Sequence, residues 1–148
     1  HFALARATGR AALAVGARAR IDYGKIVRSE ALAALAVAPR HAGALHIMGM
    51  WNAEVMRLPG MLRFIARAFL GGAIFAEANW EQAQRYLEQA VAADPNRIVH
   101  RLDLGMILRD RGNRDGAREQ FAWIARAAAT DFNDPQYKQQ AATEWRKL

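Results

Sequence analysis

The sequence predicts an all-α protein, an α-solenoid of about three helix-turn-helix repeats with a long helical insertion and a C-terminal capping helix. Three observations carry that expectation. Alanine dominates, prolines number only 4 in 148 residues, and β-branched residues are sparse, so summed propensity favours helix along nearly the whole chain. Every periodic segment repeats at about 3.6 residues and none alternates as a strand does. Two stretches, Ala34 to Met50 and Ala90 to Met106, align without a gap, and the step from Pro39 to Gly49 and from Pro95 to Gly105 is ten residues in both.

The repeat has a mechanical meaning. Each proline follows a helix that it cannot continue. A short turn comes next, and the second helix then carries a glycine where a neighbouring helix crosses closely. This is the helix-turn-helix unit of about 34 residues found in tetratricopeptide repeats. A first unit over 1–39 carries Leu4 and Ala5, then Val27, Ala31, Ala34 and Pro39. A second over 40–95 carries Met48 and Gly49, then Ala83, Leu87, Ala90 and Pro95. A third over 96–131 carries Leu104, Gly105 and Leu108, a turn at Gly112, then Ala117, Phe121 and Ile124. Gly105 to Ala117 spans twelve positions and Gly49 to Ala83 thirty-four, so the second unit holds an insertion of twenty-two. Ala5 to Val27 spans twenty-two, an excess of ten. The insertion's helix is expected to stop at Gly71-Gly72. Asn133 as N-cap and Pro135 at the first helical position open a capping helix over 135–148. His1 falls inside the first helix of a unit, which predicts further chain upstream.

Composition narrows the function. The net charge is +7, and residues 1–70 hold ten Lys/Arg against three acids while 71–148 hold eleven of each. The excess therefore sits in the first half, which points to an acidic partner facing residues 1–20 through Arg6, Arg10, Arg18 and Arg20. With no cysteine there is neither disulfide nor thiolate metal site. Ser29 is the lone serine, and Thr8, Thr130 and Thr143 have no His or Asp pattern beside them, so an enzyme is not expected. His41 and His46 are five apart and His100 stands alone, so no metal is expected. Glu81, Glu88, Asp103, Asp110 and Glu119 fall among arginines at solvent-face positions. Trp80, Tyr86, Phe121 and Trp123 fall at packing positions and not on a base-stacking platform, while Trp51 fits either role. No cofactor and no nucleic acid are expected. The segment Met61 to Phe75 is interrupted by Arg63, Arg67 and Gly71-Gly72, so it cannot span a membrane. The arginine and alanine bias suggests a GC-rich bacterial genome. The compartment is left open between periplasm, had a signal peptide been removed, and cytoplasm, for a soluble or peripheral protein.

From Ala38 to Ala129 the chain resembles a known family. The residues that carry the likeness are Pro39, Gly49-Met50-Trp51, the turn Leu58-Pro59-Gly60-Met61, Phe69-Leu70-Gly71-Gly72, Trp80-Glu81-Gln82-Ala83, Tyr86, and Asp94 to His100. They are similar to the regulator of microtubule dynamics family of tetratricopeptide proteins, which includes bacterial members. The resemblance implies an α-solenoid and an adaptor role, without implying microtubule binding. The membrane anchor and coiled coil of eukaryotic members have no counterpart in these residues. Leu45 and Arg101 stand where the repeat often has Trp.

Two candidate surfaces follow. In this repeat class the groove is lined from the first helices, here by Phe2, Arg6 and Arg10, then His46, Met50 and Glu54, then Val99, Leu102, Met106, Arg109 and Asp110. Methionine adapts to varied partners and arginine grips carboxylates, so the groove suits an amphipathic or acidic peptide. The rival is the insertion's helix with Met61, Arg63, Phe64, Arg67 and Phe69, whose two arginines lie one turn apart on an apolar helix, as in an interfacial membrane helix. Its commoner role is packing over the solenoid's core. The expected function is a non-enzymatic protein-binding adaptor or accessory subunit of a larger assembly. The alternative is a membrane-surface or polyanion-binding module using the basic first half.

Overall fold

The computed structural model of the protein describes residues 1–4, 17–69 and 73–148, with Ala17, Arg18 and Phe69 placed by backbone alone. Among these residues there is no strand. The elements are α1 (Ala17–Val37), α2 (Ala42–Arg57), α3 (Gly60–Phe69), a 3-10 segment (Ala73–Glu77), α4 (Trp80–Ala93), α5 (Ile98–Asp110), α6 (Arg114–Arg126) and α7 (Asp134–Trp145).

The two prolines do what their spacing predicts. Pro39 and Pro95 each stand two residues beyond a helix end, at Val37 and Ala93, and the next helix opens three residues later in both, at Ala42 and Ile98. Asn79 and Asn113 are matching N-caps, accepting from Gln82 N at 2.8 Å and Gly116 N at 2.9 Å. Glu81 and Asp115 follow in the first turns, where the positive end of the helix dipole favours an acid. Gly112 closes the turn between α5 and α6 at φ 83°, a left-handed conformation that glycine adopts without steric cost.

Helix α2 packs along α4, and α5 along α6. A glycine marks each crossing. A Cβ on Gly49 would meet Leu87 Cγ at 2.6 Å and the Ala83 carbonyl oxygen at 3.1 Å. One on Gly105 would meet the Phe121 ring at 2.5 Å. Both are closer than real side chains approach, so the helices need glycine there. Ala83 and Leu87 thus stand to Gly49 as Ala117 and Phe121 stand to Gly105, although the linking chain is far longer in the first pair.

The main core joins both pairs through Leu87, Ile98, Leu102, Ile107, Phe121 and Ile124, all at 0–1% exposure. Helix α7 covers α5 and α6 and adds Ala141. Asn133 holds the N-cap position as expected, but its side chain makes no capping hydrogen bond. Instead the buried Asp134 carboxylate reaches back and accepts from Thr130 N and Asp131 N, both at 2.8 Å. Asp134 is therefore the first helical residue and Pro135 the second. A smaller core gathers Trp51, Val55, Ala66, Phe75 and Ala78 beneath Ile21 and Val27 of α1.

Candidate functional site

Helices α2 and α5 lie side by side and are tied together by polar side chains at two levels. At the first, His46 Nε2 and Asp103 Oδ2 are 2.6 Å apart, and the His46 ring lies 4.9 Å from that of His100. His100 is 5% exposed and its Nδ1 has no hydrogen-bond partner. Burial first, then charge on His46, pushes its imidazole down to about 4, so the ring is neutral at neutral pH.

At the second level a chain of ion pairs runs across three helices. Arg57 donates to Glu54 at 2.6 Å, and its Nε and Nη2 donate to Asp110 Oδ2 at 3.1 and 2.8 Å. Arg109 donates to the other Asp110 oxygen at 2.8 Å and also to Glu144 of α7, which accepts from Lys147 at 2.7 Å. Burial alone would raise the Asp110 carboxyl, but hydrogen bonds from Arg109 and Arg57, with their charges, hold it below its ordinary value.

This arrangement corrects several expectations. Asp103 is not a solvated-face acid, since its side chain is only 13% exposed, and Asp110, though exposed as a residue, uses its carboxylate to bridge two helices. His100 does not stand alone. Leu102 is 1% exposed and belongs to the core, so it lines no surface. Arg109 is committed to Asp110 and Glu144 and is not free to grip a partner's carboxylate.

The remaining groove residues separate. Glu54 is exposed, while Met50 and Met106 are half-buried against the main core. Gln140 of α7 reaches the Met106 sulfur at 3.6 Å. Val99 is half-buried. The Phe2 ring lies 4.4 Å from that of His41, tilted at 49°, and over Gly43, at the start of α2. Arg6, Arg10 and the Arg18 side chain lie outside the described residues, and Arg20 is exposed. What α2 and α5 offer together is a mixed surface of His46, Met50, Glu54 and Met106. Nothing in sequence spacing pairs Arg57 with Asp110 or His46 with Asp103, because both contacts need α2 and α5 to be brought together first.

The aromatics resolve toward packing. Trp51, which fitted two roles, is 6% exposed, donates to the Gly24 carbonyl at 2.9 Å and stacks on Phe75 at 5.6 Å. Trp123 lies under the Arg101 guanidinium at 4.2 Å. Among the described residues, no group of three His, Asp or Glu could hold a metal ion, and no helix is long and apolar enough to cross a membrane.

The insertion's helix departs from the packing role expected of it. Of the described α3 side chains only Ala66 is buried, whereas Met61 is 76% and Phe64 65% exposed. Arg63 and Arg67 border an open depression of about 340 Å³ shared with Met56, Phe75 and Ala78. The Phe69 side chain and Gly71-Gly72 lie outside the described residues.

No curated protein matches this chain. The family model for regulator of microtubule dynamics protein 1-3 matches residues 1–148, and the chain belongs to that family.

Proposed function

We propose that the chain is a non-enzymatic protein-binding adaptor or accessory subunit, built as a tetratricopeptide-type α-solenoid, whose partner docks on the joint face of α2 and α5. The observation that carries this reading is the cross-bracing of that face. His46 to Asp103 and Arg57 to Asp110 hold two helices in fixed relation, so Met50, Glu54 and Met106 are presented on a rigid support. The family's description, regulator of microtubule dynamics, supports a role exerted on other proteins. Because Arg57 and Arg109 are already neutralised, the face favours a partner with apolar anchors over a purely acidic one. The basic end at residues 1–20 would then act on association rate.

The test is affinity capture from the native source with the wild-type chain beside Met50→Gln, a variant first shown to keep the wild-type melting temperature because Met50 is half-buried against the main core. A protein retained by the wild type and lost at least about tenfold by the variant supports the reading. Retention indifferent to the variant places the interface elsewhere.

A further inference from the structure

Helix α3 holds most of its apolar side chains away from the fold. Met61, Leu62, Phe64 and Ile65 are 76%, 46%, 65% and 38% exposed, and Leu58 just before them is 37%. At about 100° per residue, Phe64, Ala68, Met61 and Ile65 share one arc. Arg63 and Arg67 stand between that arc and the buried edge at Ala66. Among the described residues Arg63 donates only to the Met56 sulfur, at 3.4 Å. Neither arginine has an ion-pair partner among the described residues. The sequence agrees, since no acid occurs between Glu54 and Glu77 while Arg57, Arg63 and Arg67 all fall there.

Area and charge decide what covers this face. The exposed parts of Met61, Leu62, Phe64 and Ile65 amount to about 400 Å² of accessible surface at roughly 180 Å² per large apolar side chain, half of the about 800 Å² per partner in a standard protein interface. A lipid surface makes no such demand, because each apolar side chain transfers on its own while cationic stems reach back to the headgroups. Unpaired arginines beside inserted apolar groups select anionic headgroups. We propose that α3 is an interfacial anchor that lies in the headgroup layer of an anionic phospholipid surface, with Met61, Phe64 and Ile65 inserted and Arg63 and Arg67 on the phosphates. The site is distinct from the α2/α5 face, and neither needs the other to hold.

Co-sedimentation of the full chain with vesicles tests it. Phosphatidylglycerol mixed with phosphatidylcholine should bind at least about tenfold better than phosphatidylcholine alone, with the advantage shrinking as salt rises. Met61→Ser/Phe64→Ser should reduce that binding about tenfold or more, and Arg63→Ser/Arg67→Ser several-fold. Both variants should keep the wild-type melting temperature, since all four side chains lie outside the two cores. Phe132→Ser, which removes a 96% exposed phenylalanine far along the chain, should change nothing. No binding to anionic vesicles, equal binding to both compositions, or indifference to the α3 variants overturns the proposal. So does a sedimenting dimer that the α3 variants convert to monomer, because a second copy would then cover the face.

Discussion

The main core and the smaller one around Trp51 are closed by different means. In the first, residues from two glycine-marked helix pairs interdigitate, and Leu87, Ile98, Ile107 and Ile124 reach 0% exposure. In the second, Val55 and Ala66 reach 4% and 2% but Trp51, Phe75 and Ala78 stay at 6–9%, and the cluster is held by an aromatic stack, a hydrogen bond to the Gly24 carbonyl and the Arg28 guanidinium over Trp51. A repeated packing register excludes water because each helix meets a neighbour of matching shape. The insertion has no such template, so it anchors through Phe75 and leaves α3 facing outward.

The contrast is sharpest for aromatic truncation. Phe121→Ala should cost about 3–5 kcal/mol, since a dry interior cannot collapse into the gap. Phe75→Ala should cost about 2 kcal/mol, because the less enclosed cluster can settle. Urea denaturation of both variants gives the comparison, and equal losses would mean the two cores are packed alike.

Acid should strike the paired region first through His100. Its value in the fold, about 4, lies below the ordinary 6.5, so the unfolded chain takes up the proton first. The stability this neutral ring supports is complete above about pH 6.5, falls as pH drops toward 4, and changes no further below. The loss is on the order of 3 kcal/mol. His100→Phe should remove this component from a plot of unfolding free energy against pH. The acid-side loss from the Asp110 network, whose carboxyl is held low, should remain.

Glycine substitutions rank next. Gly49→Leu should destabilise by about 1–3 kcal/mol, because the Ala83 backbone oxygen cannot step aside. At Gly24 a Cβ would meet the Phe75 ring at 3.3 Å and Trp51 Nε1 at 3.8 Å, both side-chain atoms, and alanine improves helix propensity. Gly24→Ala should therefore stay within about 0.5 kcal/mol of wild type in thermal unfolding. Between these two, Trp51→Phe keeps the stack on Phe75 but loses the bond to Gly24, an expected cost of about 0.5–1.5 kcal/mol in the same assay.

Much of the fold is legible because it is written in local chemistry. Pro39, Pro95, Gly112 and the caps Asn79 and Asn113 mark helix limits through their own backbone and side-chain rules. Gly49 and Gly105 reveal their crossings because a repeat of ten residues after each proline cannot arise from propensity alone. The site is less legible. Asn52, at 3% exposure, joins the Met48 carbonyl to Asn79 N, and Arg57, Asp110 and Glu144 link three helices. These partners are 27 to 53 residues apart, and no local pattern signals them. A repeat template puts Leu102 on the groove, whereas the structure buries it in the main core at 1% exposure. The exposure of α3 was also hidden, since an amphipathic helix reads the same whether its apolar face meets protein or lipid.

That the long insertion leaves the α2/α4 crossing equivalent to the α5/α6 crossing is the central structural claim, and a double-mutant cycle between positions 49 and 87 tests it most directly. Gly49→Ala drives a Cβ against Leu87 Cγ, and Leu87→Ala removes that obstacle while leaving a cavity. Measured by urea denaturation, the double variant should be more stable than the sum of the single losses predicts, by about 1 kcal/mol or more. Losses that add to within about 0.5 kcal/mol would show that the two positions do not touch, and the shared register would have to be abandoned.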